Sequence, residues 1–277
     1  MEEIGAITWV LILLNGAMTY KGLKSKEFFN RYAFDIDRVL IDRDYKRLIS
    51  SGFLHVNWTH FIFNMITLFL FSQSLEPRMG MAAFSLLYFG SLLGGNLLAL
   101  YIHRNHSDYR AVGASGAVIG LIFASIALFP GSKIGFILIP ISFPAWLFGI
   151  AYVLYSIYGI RSQSDNIGHE AHLGGGITGL LIAIILYPEI LIANYLPIFL
   201  ILIPSLLFLF LIVKKPHILW VSNPLTKNKG FLTTEDKYNI GKANRQKELD
   251  RLLEKIHKKG YDQLSKKERE KLKNLSN

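Results

Sequence analysis

Three polar groupings interrupt otherwise apolar stretches of the chain, and each has the residue types for chemistry. The first is Gly113-Ala114-Ser115-Gly116. Glycines on either side of a serine let other backbone approach its hydroxyl closely. At the start of a helix that hydroxyl would also lie beside free N–H groups and the positive end of the helix dipole, which favour a developing oxyanion. The bland alternative is a serine bonded to its own helix backbone, the reading that suits Ser72, Ser85, Ser91 and Ser125. The second grouping is Glu170-Ala171-His172-Leu173, followed by Gly174, Gly175, Gly176 and Gly179. A neutral imidazole accepts a hydroxyl proton and so activates a serine. An interfacial histidine without chemistry is the alternative here, and His169, on the same helix face, is a rival base. The third is His60-Phe61-Ile62-Phe63-Asn64, whose i, i+4 spacing puts imidazole and amide donors on one face. Two donors aimed at one point suit an oxyanion hole. A polar pair bonding to a neighbouring helix fits the same spacing. His55 lies five residues earlier and could support the pair.

No carboxylate stands where it would complete a triad. Glu170 is two positions from His172 and points elsewhere on a helix, and Asp165 falls in the preceding loop. His103 and His106 fall in a polar loop and are expected to be solvated.

The elements that must position these groups are apolar helices. Of 277 residues, 51% are hydrophobic and 18% charged, against about 25% charged in a soluble domain. Apolar blocks approach or reach the roughly 20 residues that cross a bilayer. Seven spans are expected, near 4–20, 58–75, 81–102, 114–130, 144–160, 171–187 and 194–213. This patterning excludes an ordinary soluble enzyme. The absence of cysteine excludes disulfides, thiolate catalysis and Cys-based zinc sites. Block 4–20 lacks a basic leader and a small-residue cleavage site, so a retained span is expected there. Gly175 and Gly179 form a G-x-x-x-G face, and Gly116 and Gly120 a similar one. Such faces let helices meet at backbone distance, which would bring Ser115 and His172 together. Valine at Gly116 or Gly175 is then expected to push the two helices apart.

Residues 21–57 form a long loop of mixed charge, and 131–144 an apolar, proline-broken stretch of re-entrant or interfacial type. From residue 214 onward the chain carries 17 Lys and Arg against 8 Asp and Glu, nearly all of the net charge of +10. Leu249, Leu252, Leu253 and Ile256 repeat at helical spacing, and Ser265 with Glu268 forms a capping box. A soluble helical hairpin is expected, either a solvated appendage or a module docking a partner or anionic lipid. It has no nucleic-acid-binding motif, so no nucleic acid is expected as a partner.

In chain order the polar groups run histidine and asparagine, then serine, then histidine, on alternate spans. This order resembles the rhomboid family of intramembrane serine proteases. The matching stretches are His55 to Asn64, Gly113 to Gly116 and Ala171 to Gly175, joined by Tyr45 to Phe53 and Leu75 to Gly80. The resemblance covers roughly residues 1–190. It implies an all-α polytopic membrane fold: a six-helix core over 1–190, a seventh transmembrane helix over 191–213 and the soluble tail over 214–277. It implies Ser115 as nucleophile, His172 as general base, and His60, Asn64 and the Ser115 N–H as oxyanion donors. His55 would support them, Gly113, Gly116, Gly175 and Gly179 would provide close packing, and Arg47 and Glu76 would be structural. It implies no metal or cofactor, single-span or polytopic membrane proteins as substrates, and a bacterial cytoplasmic membrane as location. Some relatives carry an aromatic residue one turn after the serine, stacked on the histidine; here that position is Ile119, and the stacking is lost. The family orientation puts the seventh span's basic tail outside, whereas the positive-inside rule favours the cytoplasm. Two other readings compete: a catalytically silent, client-binding relative, and a channel or transporter.

Overall fold

The computed structural model describes residues 5–107, 109–136, 139–162 and 165–214, together with Leu252, Lys255, Ile256, Ser265, Glu268 and Leu272. The chain divides into two compact units, Met1–Asn223 and Pro224–Asn277.

The first unit opens with helix α1 (Ala6–Lys24), whose buried face is Thr8, Leu11, Asn15, Thr19 and Gly22. Its outward face carries Val10, Leu13 and Leu14. Leu11 apart, the buried face is polar or small while large apolar residues point outward, the reverse of a water-soluble helix and the arrangement a lipid surface favours. The start of α1 is held by Glu76. Its carboxylate accepts from Ile7 N (2.9 Å), Thr8 N (3.0 Å) and the Thr8 hydroxyl (2.6 Å). A carboxylate at a helix N-terminus satisfies donors that the helix itself leaves free. Glu76→Ala should cost about 3 kcal/mol by stranding those donors; a thermal melt in detergent should show a clearly lowered midpoint, and an unchanged midpoint would remove Glu76 from this role.

The long first loop folds into a small lobe. It contains α2 (Lys26–Tyr32), β1 (Phe34–Asp35), α3 (Ile36–Leu40), α4 (Arg47–Ser50) and one 3-10 turn, Ser51–Phe53. Phe34, Ile36, Val39 and Leu48 form its core. Buried Arg47 binds it together, donating to the carbonyls of Asn30 (2.8 Å) and Ala33 (2.7 Å) and to Asp44 (2.9 Å). Helix α5 (Trp58–His103) follows and is broken at Gly80, where φ is +78°. A positive φ there suits glycine and splits α5 into two apolar segments, in line with the spans expected near 58–75 and 81–102.

The remaining elements are β2 (Arg110–Ala111), α6 (Ser115–Leu128), β3 (Lys133–Phe136), β4 (Ile139–Pro144), α7 (Ala145–Ser162), α8 (His169–Leu186), α9 (Ile190–Ala193) and α10 (Tyr195–Lys214). The chain is largely α-helical, and the all-α expectation needs amending. β1 pairs antiparallel with β2 and β3 with β4. The second ladder, Lys133–Phe136 with Ile139–Pro144, falls within the apolar, proline-broken stretch 131–144. Gly131, at φ +78°, turns the chain into it, and β-branched Ile134, Ile139 and Ile141 favour extended backbone. By length and composition α1, α5, α8 and α10 are each able to cross a membrane; α6 is apolar but only 14 residues long.

Helix α6 lies at the centre, with every residue from Gly116 to Leu128 buried, and it packs against α5 and α8. Gly175 and Gly179 of α8 lie directly on the backbone of Gly116 and Gly120 in α6. From α5, Ser91 points at Gly120, and its buried hydroxyl has no hydrogen-bond partner among the described residues. The own-helix bond expected for Ser91 is therefore absent, whereas Ser72 makes one to Phe69 O (3.0 Å). At the far end of α6, buried Asn194 donates to the carbonyls of Ile126 (2.7 Å) and Ala127 (3.1 Å), groups the helix leaves unpaired. Helix α10 buries Ile198, Ile201, Ser205, Phe208 and Ile212, one stripe, and meets α7 at Gly149.

In the second unit Leu252 is buried. The Ser265 hydroxyl accepts from Glu268 N (3.3 Å) while the Glu268 carboxylate accepts from Ser265 N (2.8 Å), the reciprocal pair expected of a capping box. Lys255 Nζ reaches the same carboxylate at 2.7 Å. These hydrogen bonds, that from Lys255 first, hold the Glu268 carboxyl down to about 2. The remainder of the expected hairpin, including Leu249 and Leu253, lies outside the described residues.

Candidate active site

Ser115 is the first residue of α6, and its Oγ lies 2.6 Å from His172 Nε2, in the first turn of α8. Both side chains are half-buried. Two features bring them to one level. The glycine contacts above set the α6–α8 separation, and the N-termini of both helices lie at the same end of that packing. The loop entering α6 is fastened by Gly113 N, which donates to Ser51 O (3.0 Å). Gly113 has φ +134°, which L side chains rarely adopt. A side chain there would also collide with His60: its first carbon would lie 3.0 Å from His60 Nε2 and 3.5 Å from Ser115 Oγ. The imidazole of His60 and the hydroxyl of Ser115 therefore converge over the bare face of Gly113.

Asn57 caps α5 by accepting from His60 N (2.8 Å), which fixes the turn that carries His60. Asn64 lies one turn further along, buried, with its amide donating to His60 O (3.1 Å). The His55 ring is edge-on to His60 at 4.9 Å between centroids and bonds Thr19 through Nδ1 (2.8 Å). Burial first, and the His60 ring second, push His55 down to about 3, so it stays neutral at ordinary pH.

The other imidazoles are engaged elsewhere. His169 Nε2 faces both oxygens of Asp165, at 3.0 and 3.2 Å, and its ring packs on Gly159 and edge-on to Tyr155. His103, expected to be solvated, is buried. It bonds the buried Glu170 carboxylate at 2.5 Å and stacks on Tyr109 with centroids 3.7 Å apart. His106 touches His103 through Nδ1 (3.1 Å) but is itself exposed. Glu170 thus turns away from His172 to clasp the end of α5. Among the described residues, no group of three or more His, Cys, Asp and Glu is gathered so as to hold a metal ion.

The residue that sequence reasoning missed is Tyr152 on α7. Its hydroxyl lies 2.8 Å from His172 Nδ1, the nitrogen turned away from Ser115. Ile119, by contrast, packs under Gly176. The aromatic neighbour of His172 therefore comes from α7 and not from α6. The arrangement is a serine hydroxyl at a helix N-terminus, an imidazole against it, and a second imidazole across the same small space. That set can move a proton off the serine and receive negative charge nearby.

Comparison with known proteins finds relatives of the membrane core. Residues 42–189 match the rhomboid domain family, and residues 232–277 match a family of unknown function. The chain is 31% identical over 150 residues to the mitochondrial rhomboid protein 1 of Saccharomyces cerevisiae, covering 52% of this chain and 43% of that one. It is 42% identical over 91 residues to YdcA of Bacillus subtilis, which carries a provisional rhomboid-protease name, covering 32% of this chain and 45% of that one. It is 30% identical over 202 residues to the chloroplastic rhomboid-like protein 11 of Arabidopsis thaliana, 65% of each. The matches span less than half the length of the yeast and Bacillus relatives.

Proposed function

Because the chain belongs to the rhomboid family of multi-pass membrane proteins, we propose that it is an intramembrane serine endopeptidase with Ser115 as nucleophile and His172 as general base. The observation that carries this reading is the 2.6 Å contact of Ser115 Oγ with His172 Nε2 at the N-terminus of α6. The hydroxyl proton passes to Nε2 as Oγ bonds to the scissile carbonyl carbon, and the carbonyl π pair becomes the oxyanion. Free N–H groups at the start of α6, with His60 and Asn64, receive that oxyanion. His172 then protonates the leaving amine, the C–N bond breaks, and water repeats the sequence on the acyl-enzyme.

The same proposal places six core spans and one further span in the bilayer: α1, the two halves of α5, α6, α7, α8 and α10. A 14-residue α6 is about 21 Å long, some 9 Å short of the hydrocarbon core. If its far end sits at one face, Ser115 lies beneath the other, where an aqueous cavity would admit water. Substrates are then membrane-spanning helices whose backbone must unwind locally before attack, because helical peptide bonds are shielded by their own hydrogen bonds. The reading extends to a bacterial cytoplasmic membrane, with the basic tail against anionic lipid.

The test uses purified protein in liposomes with a single-span substrate. Wild type should cleave it and take a covalent label from a serine-directed phosphonate; Ser115→Ala should do neither. Cleavage by the Ser115→Ala variant would sink the proposal, and a wild type that neither cleaves nor labels would favour the client-binding reading.

A further inference from the structure

We infer that Tyr152 is a positioning residue for the reaction, holding His172 with its proton on Nδ1 and its free electron pair toward Ser115. This rests on the assignment of His172 as general base. A neutral imidazole carries one N–H. For Nε2 to accept the Ser115 proton, that N–H must be on Nδ1, and buried N–H groups need an acceptor. Among the described residues, the group within reach of Nδ1 is the Tyr152 hydroxyl, at 2.8 Å. With its hydroxyl hydrogen turned away, the phenolic oxygen accepts from Nδ1–H. With it turned inward, it would donate to Nδ1 and leave Nε2–H facing Ser115, a tautomer that removes no proton. Once Ser115 has given up its proton the imidazolium carries N–H on both nitrogens, and the Tyr152 oxygen can only accept. The contact therefore strengthens as charge develops on His172. Tyr152 keeps its own proton throughout.

The oxygen is held in place by the ring that bears it. Tyr152 stacks on Phe148 (centroids 5.4 Å apart, planes 26° apart) and meets Phe123 of α6 edge-on at 6.3 Å. Phe123 is fully buried and lies against Gly176 of α8. The same α6–α8 packing that joins Ser115 to His172 thus also fixes the hydroxyl behind the imidazole. A neutral oxygen here has the place that a carboxylate occupies in a serine triad, with a smaller electrostatic contribution.

Tyr152→Phe keeps the ring and removes one oxygen, so it is the discriminating variant. In liposomes kcat should fall about tenfold with KM unchanged, since the lost bond is strongest in the transition state. Protein labelled with 15N-histidine, with the His172 signals assigned by their loss in His172→Ala, should show Nδ1 protonated in wild type. In Tyr152→Phe it should show a shift toward Nε2–H. The thermal midpoint should stay close to wild type. Tyr155→Phe, one turn along α7 with its hydroxyl toward Asp165, should leave both readouts as they are. Wild-type kcat in Tyr152→Phe, or a fall in kcat with an unaltered His172 tautomer, would overturn the inference while an inactive Ser115→Ala still upheld the protease. Cleavage by Ser115→Ala would overturn both.

Discussion

His172→Ala should lower kcat/KM on a single-span substrate by about ten-thousandfold and abolish phosphonate labelling of Ser115. The size follows from what is removed. Without a base, the Ser115 hydroxyl must attack as a neutral alcohol, and the leaving amine finds no proton donor at the position Nε2 held. Oxyanion donors and substrate binding survive, so some acceleration over water should remain. The histidine one turn away offers no rescue. His169 is buried, its Nε2 is committed to Asp165 at 3.0 Å, and its ring centroid stands 6.4 Å from that of His172. Reaching Ser115 would mean leaving the Asp165 carboxylate and vacating the space against Gly159. Cleavage kinetics of His172→Ala beside His169→Ala in the same liposomes make the check. Retention of more than about 1% of activity in His172→Ala would refute the base assignment.

The parts of the site that the sequence announced are those whose signal is local. Gly113, Ser115 and Gly116 are contiguous, His60 and Asn64 share one helix face, and His172 is followed at once by glycines. A polar group in an apolar span is conspicuous because it is costly there. The groups that went unread have partners remote in sequence. Tyr152 belongs to a helix that also carries Tyr155 and Tyr158, and nothing local separates the hydroxyl that meets His172 from two that do not. His103 sits among Arg104, Asn105 and His106, which suggested solvent; it is buried because Glu170, 67 residues later, turns to meet it. Ser91 looked like any helical serine, yet its hydroxyl points at the bare face of Gly120, a residue 29 positions later. The first ladder escaped for the same reason, since β1 pairs with a strand some 75 residues away. Helix positions were the most legible feature. Each apolar block states its own length, although the break at Gly80 registers only as a spacing between two blocks.

Gly175→Val should separate α6 from α8, lowering the thermal midpoint sharply and cutting activity by at least a hundredfold with Ser115 and His172 both intact. The Gly175 Cα lies against the backbone of Gly116, so the first added carbon would overlap the Gly116 carbonyl group itself. A clash with the tip of a flexible side chain is relieved by a new rotamer. A clash with backbone is relieved only by moving a helix, and overpacking of that kind costs at least the upper end of the usual 1–3 kcal/mol, about 3 kcal/mol. The displacement falls one turn from His172, where a shift of about 1 Å in reacting atoms can cost a hundredfold in rate. The structure also ranks the glycines. A carbon at Gly116 would lie 3.1 Å from Ala171 O, tight but tolerable after a small shift, so Gly116→Ala should be milder than Gly175→Ala. One at Gly16 would lie 3.6 Å from Phe61, an ordinary contact, so Gly16→Ala should behave as wild type. Thermal melts and cleavage rates of the four variants test the order. A Gly175→Val protein with normal midpoint and normal rate would mean that α6 and α8 do not meet at these glycines. Ser115 and His172 would then need some other reason to share a level.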